Sequence, residues 1–420
     1  MASIPASELA QEILDACLKD GTWPARTLDD LIERALDEEN PFVAKAATRA
    51  LFGIVIEQLG DLFEPALCDV YARLFAHVIS RAIPDYDPDE LVLRYRRVRQ
   101  VRRFPGGEVL RVFVLSRVTL GADVAVTSVA LAAAKERFPE AEICLVGPEK
   151  NAELFAADPR ITPIALLYGR AGLLRERLLA AAELLVAVDE PSSIVIDPDS
   201  RLTQLGLLPV GAEDARYYFF ESRAFGGELA VSLPRLTAEW LSEVFDVEPA
   251  KPYVAPLKQP KIADITVSWG VGDNAQKRIE GNFEFEVLAK LLASGKPVLL
   301  DRGAGGEEAT RIESLVARLG APANLHVHAG SYGSFASHIV QSQLYVGYDS
   351  AGQHVAAAAG VPLVSLFRGY ACLRMLSRWS PDTAESHVVV LKEGEDETAL
   401  PRTLAAIAEA GEAASGASTG

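Results

Sequence analysis

Apolar residues recur at three- and four-residue intervals through 7–83, for example at Leu9, Ile13 and Leu14 and at Leu28, Leu31, Ile32 and Leu36. That spacing lays them along one helix face and predicts a helical domain. Breaks at Gly21–Pro24, Asn40–Pro41, Gly60 and Glu64–Pro65 divide it into about four or five helices, several with Asp or Thr near their starts. Past the Phe104–Glu108 turn the period changes. Val109–Leu115, Glu142–Val146 and Ser193–Asp197 read as short buried strands, separated by helical patterns over 124–138 and 171–185. A Pro-rich crossing at 249–260 opens a second series, with strands at 264–269, 297–301, 325–327 and 344–348 and helices at 284–293, 307–319 and 333–341. Strands that alternate with helices form parallel sheets covered on both faces. The expected fold class is therefore α/β, two Rossmann-like domains facing a cleft, with an N-terminal all-helical extension. The divisions are 1–104 for the extension, 105–250 and 251–390 for the two Rossmann-like domains, and 391–420 for a C-terminal helix with a disordered Gly/Ala/Ser tail.

Composition narrows the function classes. The chain has 420 residues, 49% hydrophobic and 24% charged, enough for two or three ordinary globular domains. Its net charge of −17 argues against a nucleic-acid partner, because phosphate backbones are held by surplus Lys and Arg. Residues 94–103 are a local exception, with six arginines and no acid. Such a run meets either an anionic membrane surface or the acidic remainder of its own protein. The four cysteines (Cys17, Cys68, Cys144, Cys372) are far apart and form no C-x-x-C pair, so reduced thiols without a zinc site are expected. No segment reads as a signal peptide or a membrane span, which places the chain in the cytoplasm, with peripheral inner-membrane contact as a variant. The helical extension shows no chemistry of its own, His77 included, and reads as a module for a protein partner.

Candidate chemistry collects at strand ends. The run Leu344–Tyr348 stops at Asp349, Ser350, Ala351 and Gly352, and a helix over Gln353–Ala359 follows, closed by Gly360 and Pro362 before Leu363–Phe367. Asp349, Gly352 and His354 then lie at a helix N-terminus, where free N–H groups and the helix dipole favour an anion. Strand 109–115 leads to Asp123, which is either a cleft-facing carboxylate or a helix cap. In 268–278, Gly270 and Gly272 precede Lys277 and Arg278, either a phosphate-binding loop with a basic partner or a solvated pair. Glu307 and Glu308 open the next helix, where a carboxylate can accept from two hydroxyls or simply suit the dipole. Asp197, Asp199 and Arg201 could be mistaken for part of a D-x-D metal motif. Pro198 makes a turn there, so they are acceptor-side loop residues or turn formers. His326 and His328 share one strand face but lack a third ligand for a metal.

The pattern Asp-Ser-x-x-x-His-x-Ala-Ala-Ala-x-Gly-Val-Pro over 349–362 resembles the donor-nucleotide motif of glycosyltransferase family 9, the ADP-heptose:lipopolysaccharide heptosyltransferase family. In that family a Gly follows the Asp-Ser/Thr pair; here that place is Ala351, and the glycine comes one position later at Gly352. The family's Gly-Asp-Val and its following Thr and Ala correspond to Gly121, Asp123, Val124, Thr127 and Ala130, with Ala122 as an extra residue. The resemblance covers roughly 109–380 and implies a GT-B fold, with an acceptor domain first and a nucleotide-sugar domain second. It implies inverting, metal-independent transfer of a sugar, such as heptose, from a nucleotide diphosphate donor to a hydroxyl of a lipopolysaccharide core or other glycan, with no cofactor. Asp123 would be the base, and Lys277, with Arg278 second, would hold the diphosphate together with Asp349, Ser350, Gly352 and His354. A Glu at 307 or 308 would hold the ribose. The chemistry is consistent: the acceptor hydroxyl must lose a proton, while the departing diphosphate needs positive charge rather than an acid. The alternatives are a catalytically silent sugar-nucleotide-binding or scaffolding protein and an NAD-dependent enzyme, the latter lacking any G-x-G-x-x-G after a strand.

Overall fold

The computed structural model describes residues 4–417 apart from 170, 212 and 273. Helices Ala6–Asp20, Ala25–Ala35, Pro41–Ala50, Pro65–Ala82 and Pro88–Val98 build the extension. Pro41, Pro65 and Pro88 sit at helix starts, where the missing N–H costs nothing, and Asn40 and Asp87 accept the free N–H groups of the turns they precede. The third helix continues through a π-helical stretch, Leu51–Ile56, into Glu57–Asp61.

The first sheet holds β1 (Arg111–Leu115), β2 (Glu142–Gly147), β3 (Ile161–Ala165), β4 (Ser193–Asp197) and β5 (Tyr217–Phe219), all parallel, in the order β3-β2-β1-β4-β5. The two-residue period of β1 shows why it is apolar throughout. Phe113 and Leu115 join a core shared with the helical extension, and Val112 and Val114 face helices 128–137 and 233–245. The extension is thus one cover of the first sheet. The arginine run lies in that seam: Arg94 and Arg97 pair with Asp214, Arg99 with Asp69 and Glu221, and Arg102 donates to the carbonyls of 214, 215 and 217. Of the two expected partners, the acidic remainder of the chain is the one these four arginines meet.

The second sheet has β6 (Ile265–Ser268), β7 (Val298–Asp301), β8 (Leu325–His328), β9 (Leu344–Tyr348), β10 (Leu363–Phe367) and β11 (Ser386–Val390), parallel in the order β11-β10-β9-β6-β7-β8. Helix Asp396–Ala417 packs on β9–β11 through Ala399 and Ala406. It runs through most of the tail expected to be disordered, because Glu and Ala are strong helix formers; 418–420 lie outside the described residues. Among the described residues no helix is long and apolar enough to cross a membrane.

The two α/β domains share one apolar cluster, in which Val124 and Ala125 of the first meet Val355 and Ala356 of the second. Polar latches add to it. Glu153 accepts from the N–H of Gly333 at 3.0 Å. Arg378, fully buried on helix 373–379, donates to the carbonyls of Leu229 and Val231 at 2.8 Å and of Gly227 at 2.9 Å. Arg378→Ala is expected to strand those carbonyls and cost about 3 kcal/mol, since each unsatisfied buried group costs roughly 1–3 kcal/mol. A urea midpoint unchanged from wild type would refute this.

Candidate active site

Parallel strands bring the loops that follow them to one edge of each sheet, and the chain folds these two edges toward each other. After β1, Ser116 and Arg117 lead into helix Leu120–Ala122 and a π turn, Asp123–Thr127. A π turn takes up one residue more than an α turn. The extra Ala122 is absorbed there.

Asp123 is fully buried, and donors occupy both of its carboxylate oxygens. Ser116 Oγ donates at 2.6 Å and Asn151 Nδ2 also donates to one oxygen; the Arg117 N–H at 2.7 Å and Thr127 Oγ1 at 2.6 Å donate to the other. Burial pushes the carboxyl above its usual range, with these hydrogen bonds working against it. In this arrangement the residue expected as the base tethers its own loop and turns no lone pair toward the cleft.

Asp197 and Asp199 follow β4 and are equally enclosed. Asp197 accepts from the Ser200 N–H, Thr203 Oγ1 and Tyr217 Oη, each at 2.6 Å, and burial raises it to about 6. Asp199, at φ 70°, accepts from Ser222 Oγ at 2.7 Å and from Arg223 at 2.9 and 3.1 Å, with Arg117 at 3.8 Å. Burial opposes its ionisation, yet the two guanidiniums hold it below the usual range. Both acids tie down the turn after β4 through these bonds; no group of three or more His, Cys, Asp or Glu among the described residues is placed to hold a metal. Arg201 stands 4.0 Å from Glu57 of the helical extension.

In the second domain Lys277 and the Asp349 loop come together. Lys277 Nζ lies 2.8 Å from Asp349 Oδ2 and donates to the Asp349 carbonyl at 3.0 Å. Arg368, anchored on Asp396, donates to the carbonyls of Gln276 and Arg278 and so holds the lysine loop in place. Ala351 is the first residue of helix Ala351–Ala358 and carries no positive φ, so the absent family glycine is not needed for the backbone. Gly352 is needed for space, because a Cβ there would stand 2.1 Å from the Tyr345 hydroxyl. Ser350 precedes the helix in extended conformation. Gln353, fully buried, donates to Asp349 Oδ1 at 2.6 Å and orients it.

His354 is buried beside Gln353 and Trp379, and burial lowers it to about 4. An unfolded histidine titrates near 6.5. Between these values the unfolded chain binds the proton and the folded one does not, so His354's contribution is lost as pH falls from about 6.5 to 4. His354→Gln is expected to flatten that part of a melting-temperature profile; an unchanged profile would count against neutral burial.

The two candidate glutamates separate. Glu307 points to solvent, 3.8 Å from Arg278. Glu308 turns inward: a Cβ on Gly303 would come within 2.3 Å of its Cδ, and one on Gly270 within 2.7 Å of Oε1. Burial and then Asp301 push it up. It faces the ends of β6 and β7, beside the Lys277 loop. His328 contacts Ser334 and Asp301.

The structure adds residues that no motif marked: Asn151, Ser222, Arg223, Gln353 and the turn after Glu57–Asp61. That turn reaches the domain junction. Cys372 Sγ donates to the Leu62 carbonyl at 3.5 Å, Arg374 binds Glu64 at 2.9 Å and the Phe63 carbonyl at 2.7 Å, and Phe63 packs edge-on to Trp379. Long-range contacts of this kind leave no periodicity or spacing to read.

No protein-family model matches the chain, and no curated protein does. Solved structures are similar. A glycosyl transferase family 9 structure from Veillonella parvula superposes with a TM-score of 0.52 at 16% identity, over 72% of this chain and 98% of the other. E. coli heptosyltransferase WaaC with ADP-2-deoxy-2-fluoro heptose gives 0.51 at 17% identity, over 71% and 99%. The same enzyme with ADP gives 0.50 at 16%, over 71% and 99%. With two separate parallel sheets flanked by helices and nearly the whole length of these structures spanned, the chain has the GT-B-like α/β fold seen in family 9 glycosyltransferases.

Proposed function

We propose that the protein is a glycosyltransferase that moves a sugar from a nucleotide diphosphate donor to a hydroxyl acceptor. The observation that carries this reading is Lys277 beside Asp349 at the start of helix 351–358. A cation and a helix N-terminus there converge on the place a departing diphosphate needs. Glu308 is the ribose ligand in this reading, and Ser350, Gly352 and the 351–353 amides face the phosphates, with Arg278 at the margin. Transfer is a single displacement with inversion, and the leaving group is met by Lys277 and the helix dipole without a metal. The WaaC neighbour with ADP-2-deoxy-2-fluoro heptose makes heptose the first sugar to try, and the resemblance at 349–362 makes a lipopolysaccharide core or other glycan the first acceptor. The proposed site of action is the cytoplasm, at the membrane surface if the acceptor is a lipid-linked glycan.

Titration with ADP, UDP, GDP and inorganic pyrophosphate, read by thermal shift, tests the donor site. Binding at 100 times Kd adds about 2.7 kcal/mol to stability. Flat responses to all four would remove the transferase reading. The alternative of a silent binding protein draws on one contact: a Cβ at Gly121 would lie 3.3 Å from Ala351 Cα and 3.1 Å from His354, so the loops of the two domains already touch. ADP binding without release of ADP from any sugar nucleotide would favour it.

A further inference from the structure

Between the start of helix Phe283–Leu292 and helix Gly306–Arg318 the second domain holds a cavity of about 320 Å³. Neither Lys277, the Asp349 loop nor Glu308 lines it. Three guanidiniums do, those of Arg278, Arg311 and Arg318, beside an apolar wall of Ile279, Phe285 and Leu315. The lining acids are Glu280, which is exposed, and Glu284, whose two oxygens accept from Arg311 and from the Tyr348 hydroxyl. Arg311 also donates to the Trp269 carbonyl at 2.9 Å, and Arg318 donates to Asn282 Oδ1 at 2.9 Å while lying 4.6 Å from the centre of the Phe285 ring. Arg278 is different. Among the described residues its guanidinium makes no hydrogen bond, and its ion pair with Glu307 spans 3.8 Å, the glutamate being 90% exposed. Nε of Arg278 and Nε of Arg311 are both buried without a partner. Buried donors with no acceptor are uncommon, and two at one cavity mark a place short of an acceptor.

We propose that this cavity is an anion site separate from the Lys277 cradle, built for a small phosphate monoester such as a sugar phosphate. One guanidinium fork satisfies a carboxylate, whereas a phosphate monoester brings a charge of about −1.5 to −2 and three acceptor oxygens. It therefore matches three guanidiniums beside two carboxylates, one of them already engaged. The volume lies at the lower end of the roughly 300–1,000 Å³ typical of ligand pockets, room for a body of monosaccharide size. Ile279, Phe285 and Leu315 give the C–H face of such a ring an apolar wall. The cavity is also tied to the loop beside it. The Ile279 N–H donates to Tyr348 Oη at 3.1 Å, Tyr348 Oη donates to Glu284 at 3.1 Å, and Asp349, the partner of Lys277, is the next residue. An anion here and a diphosphate at Lys277 flank adjacent residues, so each weakens the binding of the other, and by the same factor. The anion site stands whether or not the protein is a transferase; only this coupling rests on that reading.

Isothermal calorimetry on the full chain, with glucose 6-phosphate, inorganic phosphate and glucose as probes, tests the site. Wild type is expected to bind glucose 6-phosphate more tightly than phosphate, and glucose not at all. Arg318→Gln, at an exposed position where substitution costs the fold little, should raise the glucose 6-phosphate Kd by roughly tenfold or more. Ser314→Phe, which fills the cavity from its exposed rim, should abolish binding. Lys277→Ala should leave that Kd within about threefold, the intervening water and salt screening its charge. Saturating glucose 6-phosphate should raise the wild-type Kd for pyrophosphate by about fivefold or more, an effect absent in Arg318→Gln. No binding at millimolar glucose 6-phosphate overturns the proposal. So does binding that Lys277→Ala removes and Arg318→Gln keeps, which would put the phosphate in the Lys277 cradle, and so does equal affinity for glucose. A pyrophosphate Kd that bound glucose 6-phosphate leaves unchanged overturns the coupling. Glucose 6-phosphate binding that depends on Arg318, in a protein that binds no pyrophosphate, supports this site while counting against the transferase reading.

Discussion

Lys277→Ala is expected to raise the Kd for pyrophosphate and for the cognate nucleoside diphosphate by about 30-fold or more. Truncating one partner of a partly buried, hydrogen-bonded charge pair costs roughly 2–5 kcal/mol, and every 1.4 kcal/mol is tenfold. Lys277 is enclosed by its own loop, is only 16% exposed, and leans on Asp349. In the free protein the carboxylate occupies the lysine, so on the proposed reading an entering diphosphate would displace it. Two features follow. Asp349→Asn should tighten pyrophosphate binding, because the competing anion is gone, while Lys277→Ala weakens it. Arg278→Ala should change affinity far less, since its guanidinium reaches toward Glu307 and solvent. Isothermal calorimetry on the three variants decides the matter; equal affinities for wild type and Lys277→Ala would place the diphosphate elsewhere.

Asp199→Ala is expected to cost about 4 kcal/mol or more of folding stability. The carboxylate compensates Arg223, and Arg117 beyond it, in a region closed to water. Removing one member of a buried pair leaves an uncompensated charge, a loss of roughly 3–5 kcal/mol. Alanine at a φ of 70° adds about 1–2 kcal/mol. Asp199→Asn separates out the backbone contribution, because asparagine accepts the left-handed backbone but carries no charge and, with one oxygen replaced by an NH2 donor, cannot accept from both Arg223 nitrogens. The pH dependence has a definite sign. The folded carboxyl titrates below the unfolded one, so the stabilisation is complete above about pH 4 and fades as pH falls through the folded value. Urea unfolding at pH 7 and pH 3 measures both; a loss under about 1 kcal/mol for Asp199→Ala would show that Arg223 finds another partner.

Much of the architecture is legible in the chain. Runs such as Phe113–Leu115 and Leu344–Val346 are apolar at every position because both faces of a parallel strand are buried, and that continuity is visible without coordinates. β3, β5 and β11 leave weaker marks. Ile161–Ala165 carries a proline and an exposed face, Tyr217–Phe219 is three residues long, and Ser386–Val390 is an edge strand. Helices 233–245 and 373–379 likewise follow stretches with no distinct period change.

The candidate site divides along the same line. The Asp349–His354 segment and Lys277 were marked by local chemistry, a strand end, a helix start and a basic loop, and short-range geometry brings the features of each segment together. Glu307 and Glu308 are alike in sequence, and only the space above Gly270 and Gly303 selects the second. Asp123, Asp197 and Asp199 sit where a strand-end acid was expected, but exposure and hydrogen-bond saturation depend on Asn151, Tyr217, Arg223 and other side chains far along the chain. Sequence alone therefore determined the layers, the strand edges and the loops after β6 and β9, since those follow from periodicity and nearest-neighbour chemistry. Tertiary structure decided which carboxylates are enclosed and which stay exposed, because accessibility and local field are sums over residues that only folding brings together.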